Sequence, residues 1–277
     1  MSKLSRALRR LPFVPDAKPV VALVRLEGAI MPDARPGRGL SAQDADKPLR
    51  KAFASKPKAV VIAVNSPGGA PAQSRMIHDR IRGLAAQHGV PVIAYAEDVA
   101  ASGGYMIALA GDEILADPFA IVGSVGVIAA GFGFQDAIGK LGIERRVHTA
   151  GENKSQLDPF RPEEPEDATR LEDLLTKTHV LFRAMVLDRR AGRLEDEGLL
   201  DGRYWLAGDA VALGLIDGVG DLRTILKERY GPDLRVKPYE TKSGNLLARL
   251  LPGRAGLDAE AVLAGIEARG LWGRFGL

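Results

Sequence analysis

From Pro19 onward, short apolar runs alternate with stretches of helical spacing. Val20 to Ile30, Lys58 to Val64, Val90 to Ala96 and Ile143 to Thr149 are predicted as strands, bounded by Gly and Pro. Between the second and third, Ile77, Ile81, Leu84 and Ala85 fall on one helix face, with Pro71 suited to the first turn. A long helix is predicted from about Pro165 to Arg190, with an apolar stripe of Leu171, Leu174, Leu175, Leu181, Phe182 and Met185. Glu163, Glu164, Glu166 and Asp167 lie near its positive end and Arg189, Arg190 and Arg193 near its negative end, as the helix dipole favours. Two short helices follow, Ala207 to Leu213 closed by Gly214 and Asp221 to Arg229 before Gly231-Pro232. The alternation implies an α/β domain built on parallel strands.

The flanks differ in character. Leu4, Ala7, Leu8 and Leu11 recur at helical spacing among Lys3, Arg6, Arg9 and Arg10, which fits either an interfacial helix giving residues 1–11 a peripheral membrane contact or a frayed basic arm. The organisation expected is an arm over 1–18, a main domain over 19–240, and an extension over 241–277 in which glycines alternate with apolar helical pieces. Pro118 to Gln135 is uncharged, but its four glycines make it a poor candidate for a spanning helix and a better one for a buried segment or a subunit interface. The N-terminus lacks the apolar core of a secretory signal. These readings favour a cytoplasmic protein.

Composition narrows the chemistry. Hydrophobic residues make up 46% and charged residues 26% of the chain, which argues for a folded globular protein. Cysteine is absent, so disulfides, thiolate nucleophiles and cysteine-held zinc are excluded. The net charge of +3 originates in residues 1–18, where five basic side chains face one acidic one, and aromatics are only 5%. A nucleic-acid partner is therefore not expected. No acidic and histidine cluster has metal-ligand spacing, and Gly131-Phe-Gly133 lacks the third glycine of a dinucleotide fingerprint, so no metal or cofactor is expected.

Four glycine-containing segments stand out, three of them with a serine. Asn65-Ser-Pro-Gly-Gly69 follows a predicted strand and precedes a helix, a turn that can leave backbone N–H groups free. Ala101-Ser-Gly-Gly-Tyr105 again joins strand to helix, with small residues exposing Ser102; alone, Ser102 reads more readily as a helix N-cap than as a nucleophile. Gly123-Ser-Val-Gly-Val127 and Gly151-Glu-Asn-Lys154 complete the set.

In order and spacing these four resemble the signal peptide peptidase A proteases, and the stretch Thr149 to Phe160 with the long helix after it looks most like their SohB branch. The resemblance runs from about Val20 to Leu226. It implies the α/β fold of the caseinolytic protease (ClpP)/crotonase superfamily, with repeated β-β-α units and a helical C-terminal extension. It implies a serine endopeptidase acting on peptides or unfolded polypeptide, with Ser102 as nucleophile, Lys154 as general base, Ser124 orienting the lysine, and the N–H groups of Gly69 and Gly103 as oxyanion hole. It further implies a homo-oligomer whose serine and lysine come from neighbouring subunits. A lysine serves as base only when desolvated. The histidines are expected to be surface or packing residues: His78 and His88 on the helix before Ser102, His148 in a strand, His179 on the long helix. Many members of the family carry a membrane anchor and this sequence shows none, which points toward soluble substrates. The rival readings are a crotonase-type acyl-CoA enzyme and a noncatalytic assembly scaffold.

Overall fold

The computed structural model describes residues 18–32, 39–240 and 269–277. The amphipathic stretch expected over 1–11 and the helical pieces expected within 241–268 lie outside these residues. The elements in chain order are β1 (Val20–Glu27), α1 (Ala42–Ala54), β2 (Val60–Ser66), α2 (Pro71–His88), β3 (Val92–Ala101), α3 (Gly103–Ala108), β4 (Glu113–Ala116), β5 (Ile121–Gly123), α4 (Gln135–Lys140), α5 (Pro165–Arg189), β6 (Tyr204–Leu206), α6 (Ala207–Ala212), β7 (Gly218–Val219), α7 (Leu222–Tyr230) and β8 (Arg235–Tyr239).

One sheet runs in the order β6-β5-β3-β2-β1-β8, with β4 and β7 branching from β3. All pairings are parallel except β5 with β6. The central strands are apolar on both faces because both faces are covered, and the side chains of β2 from Val60 to Val64 are fully buried. One face packs against α1, α2, α3, α6 and the end of α5. On the other, Val21, Val61, Ile93 and Tyr95 pack on Leu226 of α7. Residues 269–277 lay Phe275 against Val99 and Ala101.

β3 is the longest strand and serves two partners, pairing with β4 from Ile93 to Ala96 and with β5 from Val99 to Ala101. Between these stretches its register with β2 shifts, from Val64 opposite Ala96 to Ser66 opposite Ala100. The extra residues, Glu97 and Asp98, form a bulge that bends the strand end. Asn65 bridges it, its Nδ2 donating to Asp98 Oδ2 (2.6 Å) while its Oδ1 accepts from the Val99 N–H (3.3 Å).

One sequence expectation is corrected and a second is refined. Ile143 to Thr149 is not a strand but exposed irregular chain, because no residue from 126 to 181 is buried and that segment reaches no sheet edge. Pro118 to Gln135 divides: Ala120, Val122 and Val125 are core, whereas Ile128 and Phe132 are largely exposed. Helix α1 was hidden in the sequence by Pro48 in its interior; the Ser41 hydroxyl caps it by accepting from the Asp44 N–H (3.2 Å). Among the described residues β8 ends the sheet, and it carries Pro238.

A buried ion pair ties α5 to the sheet. Arg190 is 2% exposed and donates to Asp217 (3.0 Å) and to the Gly214 carbonyl (2.8 Å), while Asp217 also accepts from the Ile114 N–H (2.7 Å). Burial pushes the Asp217 carboxyl up, but hydrogen bonds from Arg190 and Ile114 and the charges of Arg190 and Arg193 outweigh it and hold the carboxyl below its ordinary range. Its stabilising contribution is therefore complete above the unfolded value of about 3.9 and is lost as pH falls through the lower folded value. Asp217→Asn should cost about 3 kcal/mol at pH 7, since it strands a buried guanidinium. In urea unfolding, the variant should also lose less stability than the wild type on acidification below pH ~4.

Candidate active site

The nucleophile candidate sits where β3 turns into α3. Ser102 has φ 51° and ψ −119°, a conformation that costs a residue with a β-carbon about 1–3 kcal/mol. It does not cap α3 with its side chain, so the N-cap alternative fails. Its backbone is fixed instead: the Ser102 N–H donates to the Gly123 carbonyl (2.8 Å), and its carbonyl accepts from the Met106 N–H (3.0 Å). The short helix behind it is held at its far end, where Arg189 donates to the Leu109 and Gly111 carbonyls and Arg82 to the Ala110 carbonyl. The buried Tyr105 hydroxyl donates to the Leu215 carbonyl (2.6 Å), and burial pushes its phenol far up.

The turn after β2 packs directly against this elbow. Gly69 forms a parallel bridge with Ile30: the Ile30 N–H donates to the Gly68 carbonyl and the Ala70 N–H to the Ile30 carbonyl, both at 2.8 Å. In that pattern Gly69's own N–H is turned away from Ile30. Only glycine fits, since a β-carbon at Gly69 would lie 2.1 Å from the Ile30 carbonyl oxygen. One at Gly103 would lie 2.3 Å from Ser74 Oγ and 3.3 Å from the Gly69 nitrogen. Among the described residues, neither Gly69 nor Gly103 donates its N–H to a protein acceptor. Two unspent donors thus meet beside Ser102, a geometry suited to stabilising a developing oxyanion.

Ser124 follows Gly123, the residue that holds the Ser102 N–H, so the fold brings the two serines close in the site. It is buried, with φ 53°, and its N–H donates to the Arg203 carbonyl (2.7 Å). Lys154 is not brought to them. It lies exposed in a turn within the stretch 126–181, none of whose residues is buried, its N–H donating to the Gly151 carbonyl (3.2 Å). That segment is braced on itself: the Phe134 N–H donates to the Pro159 carbonyl (2.6 Å), Phe134 stacks on Phe160 at 5.6 Å, and Arg145 lies over Phe160.

The histidines have structural surroundings. His179 places Nε2 between the carbonyls of Val125 (3.0 Å) and Leu200 (2.8 Å), fastening α5 beside Ser124. His88 stacks on Phe53. Burial pushes the His78 imidazole down, and its Nδ1 meets Asp79 at 2.9 Å. His148 is in exposed, irregular chain. Asn65, Ser66, Asp98 and His179 all shape the site; Asn65 and Ser66 lie in a motif the sequence singled out, but nothing in it assigned a role to their side chains, and Asp98 stood in no motif.

Comparison with known proteins places the chain in a family. The pattern defining peptidase family S49 matches residues 85–230, more than half of the chain, and the chain belongs to that family. Over 273 residues it is 49% identical to a Na(+)/H(+) antiporter NhaA of Brucella abortus, covering 93% of this chain and 37% of that protein. Over 209 residues it is 34% identical to the chloroplastic serine protease SPPA of Arabidopsis thaliana, covering 73% and 31%. The chain spans roughly a third to a half of the length of the curated relatives it matches, which include probable SohB proteases. A 1510-N membrane-bound stomatin-specific protease variant, solved with a substrate peptide, shares the fold with a TM-score of 0.52 at 20% identity, over 80% of this chain and 92% of that one.

The strain at Ser102 can be measured. Ser102→Gly should be more stable than Ser102→Ala by about 1 kcal/mol in denaturant unfolding, because glycine relieves the backbone conformation that alanine retains. Equal stabilities would show that the elbow is unstrained.

Proposed function

We propose that this chain is a serine endopeptidase that cleaves peptides or unfolded polypeptide with Ser102 as nucleophile and Lys154, from a neighbouring subunit, as general base. The observation that carries the reading is the meeting of the unspent Gly69 and Gly103 N–H groups beside a serine that does not cap its own helix. In the proposed reaction, the neutral lysine amine removes the Ser102 hydroxyl proton as Oγ attacks the substrate carbonyl carbon. The carbonyl oxygen takes the negative charge and is held by the two glycine N–H groups, each such donor being worth about 3–4 kcal/mol. Collapse breaks the peptide C–N bond, and the leaving amine takes the proton from the lysine ammonium. Water, deprotonated by the same lysine, then attacks the acyl-enzyme, releasing the acid and restoring Ser102. Ser124 is the hydroxyl proposed to orient the lysine.

The shared site is supported by where the apolar surface lies. Ile128, Phe132, Leu141, Ile143, Leu174 and Leu181 are exposed on the stretch 126–181 that includes Lys154, and large exposed apolar side chains are candidates for an interaction surface. A second copy packed on that segment would cover these side chains, desolvate Lys154 and deliver it to the neighbour's Ser102. Repeated head to tail, such contacts close into a ring. The antiporter name carried by two relatives belongs to proteins of which this chain matches the smaller part, and among the described residues no helix is long and apolar enough to cross a membrane. We propose a cytoplasmic location, with residues 1–11 as a peripheral membrane contact.

Ser102→Ala and Lys154→Ala should each abolish peptidase activity, yet coexpressed they should form mixed oligomers that regain part of it. Verified mixed oligomers that stay inactive would exclude a shared site. Activity should climb toward alkaline pH, because the base must be neutral lysine, whereas a plateau beginning near pH ~6.5 would point to histidine.

A further inference from the structure

Ser66 is fully buried and lies too far back in the turn to serve as a nucleophile, yet its hydroxyl makes two well-directed hydrogen bonds. It donates to the Gly28 carbonyl (2.7 Å) and accepts from the Gly68 N–H (3.2 Å). We propose that Ser66 is a positioning residue for the peptidase reaction, holding the Gly68 peptide so that the Gly69 N–H stays aimed beside that of Gly103. The inference rests on the peptidase reading above.

The geometry gives the reason. Gly68 has φ 100° and no side chain, so the peptide on its N-terminal side is free to turn unless something pins it. On its C-terminal side the Ile30 N–H already holds the Gly68 carbonyl, which sets the plane containing the Gly69 N–H. On the other side the Ser66 hydroxyl is the acceptor for the Gly68 N–H. With both flanking peptides held, the two dihedrals of Gly68 are fixed. Gly28 is tied in turn to the same turn, since its N–H donates to the Asn65 carbonyl (2.9 Å). Ser66 thereby links the chain leaving β1, the chain leaving β2 and the donor that faces Ser102. Removing its hydroxyl leaves the Gly68 N–H without its acceptor in a buried place and releases the peptide to rotate.

The test is the rate at which a fluorophosphonate labels Ser102, measured well below the melting temperature, because the phosphonyl oxygen takes the position of the oxyanion. Ser66→Ala should lower the second-order labelling rate about tenfold and lower kcat in parallel, with KM little changed, the pattern of a lost transition-state interaction. Ser66→Cys, which fills the same place with a weaker donor and acceptor, should fall between the two and serves the same comparison if Ser66→Ala does not fold. A folded Ser66→Ala or Ser66→Cys protein labelled at the wild-type rate, with only its melting temperature lowered, would mean that Ser66 is structural, and the inference would fall while the peptidase reading stood. A wild-type protein whose Ser102 is not labelled at all would instead remove the peptidase reading and this inference together.

Discussion

The site depends on two backbone turns approaching more closely than any side chain allows. The turn from Asn65 to Ala70 and the elbow from Ser102 to Gly104 meet with glycine on both sides, and a β-carbon on either Gly69 or Gly103 would collide with its surroundings. This proximity leaves two N–H groups pointing into one place. Everything larger serves to enforce it. Parallel strands β2 and β3 end side by side, the bulge at Glu97 and Asp98 turns the end of β3, and Asn65 spans the bulge. Helix α3 is too short to hold itself by its own ladder, so Arg82 and Arg189 fasten its end from outside and its own Tyr105 hydroxyl donates to the Leu215 carbonyl.

How much of this could be read from the sequence divides along physical lines. Strands β1 to β3 and helices α2, α5, α6 and α7 were visible because long apolar periodicity survives whatever packs on it. The short strands β4 to β8 were not. Two to five residues carry no period, and they are strands only because a neighbour's free edge accepts them. Ile143 to Thr149 is the converse, a sequence with strand character that meets no edge. At the site, Gly69, Ser102, Gly103 and Ser124 were marked by their motifs, and the fold gathers them. Ser66 and Asn65 stood in the same motif without distinction, because a hydroxyl or amide that hydrogen-bonds backbone looks like any other turn residue until the acceptor is known.

Lys154 shows a different limit. Its motif selected it, but one chain leaves it in water on a segment with its own small aromatic cluster. Helix α5, which follows that segment, is tied to the rest of the fold by His179, Arg183 and the buried Arg190. The region matched by family S49 takes in both the elbow with Ser102 and the stretch with Lys154.

The outer strand β8 has a consequence beyond the fold. Arg235 donates its N–H inward to the Pro19 carbonyl, and in a parallel ladder alternate residues face inward, so position 238 turns its nitrogen outward. There the residue is proline, and no donor is offered. A foreign strand approaching that rim meets a gap in the pattern it would need to copy, flanked by the charged side chain of Lys237. Runaway edge-to-edge growth into fibres is discouraged at that margin, and association between copies is left to surfaces whose side chains can specify a partner.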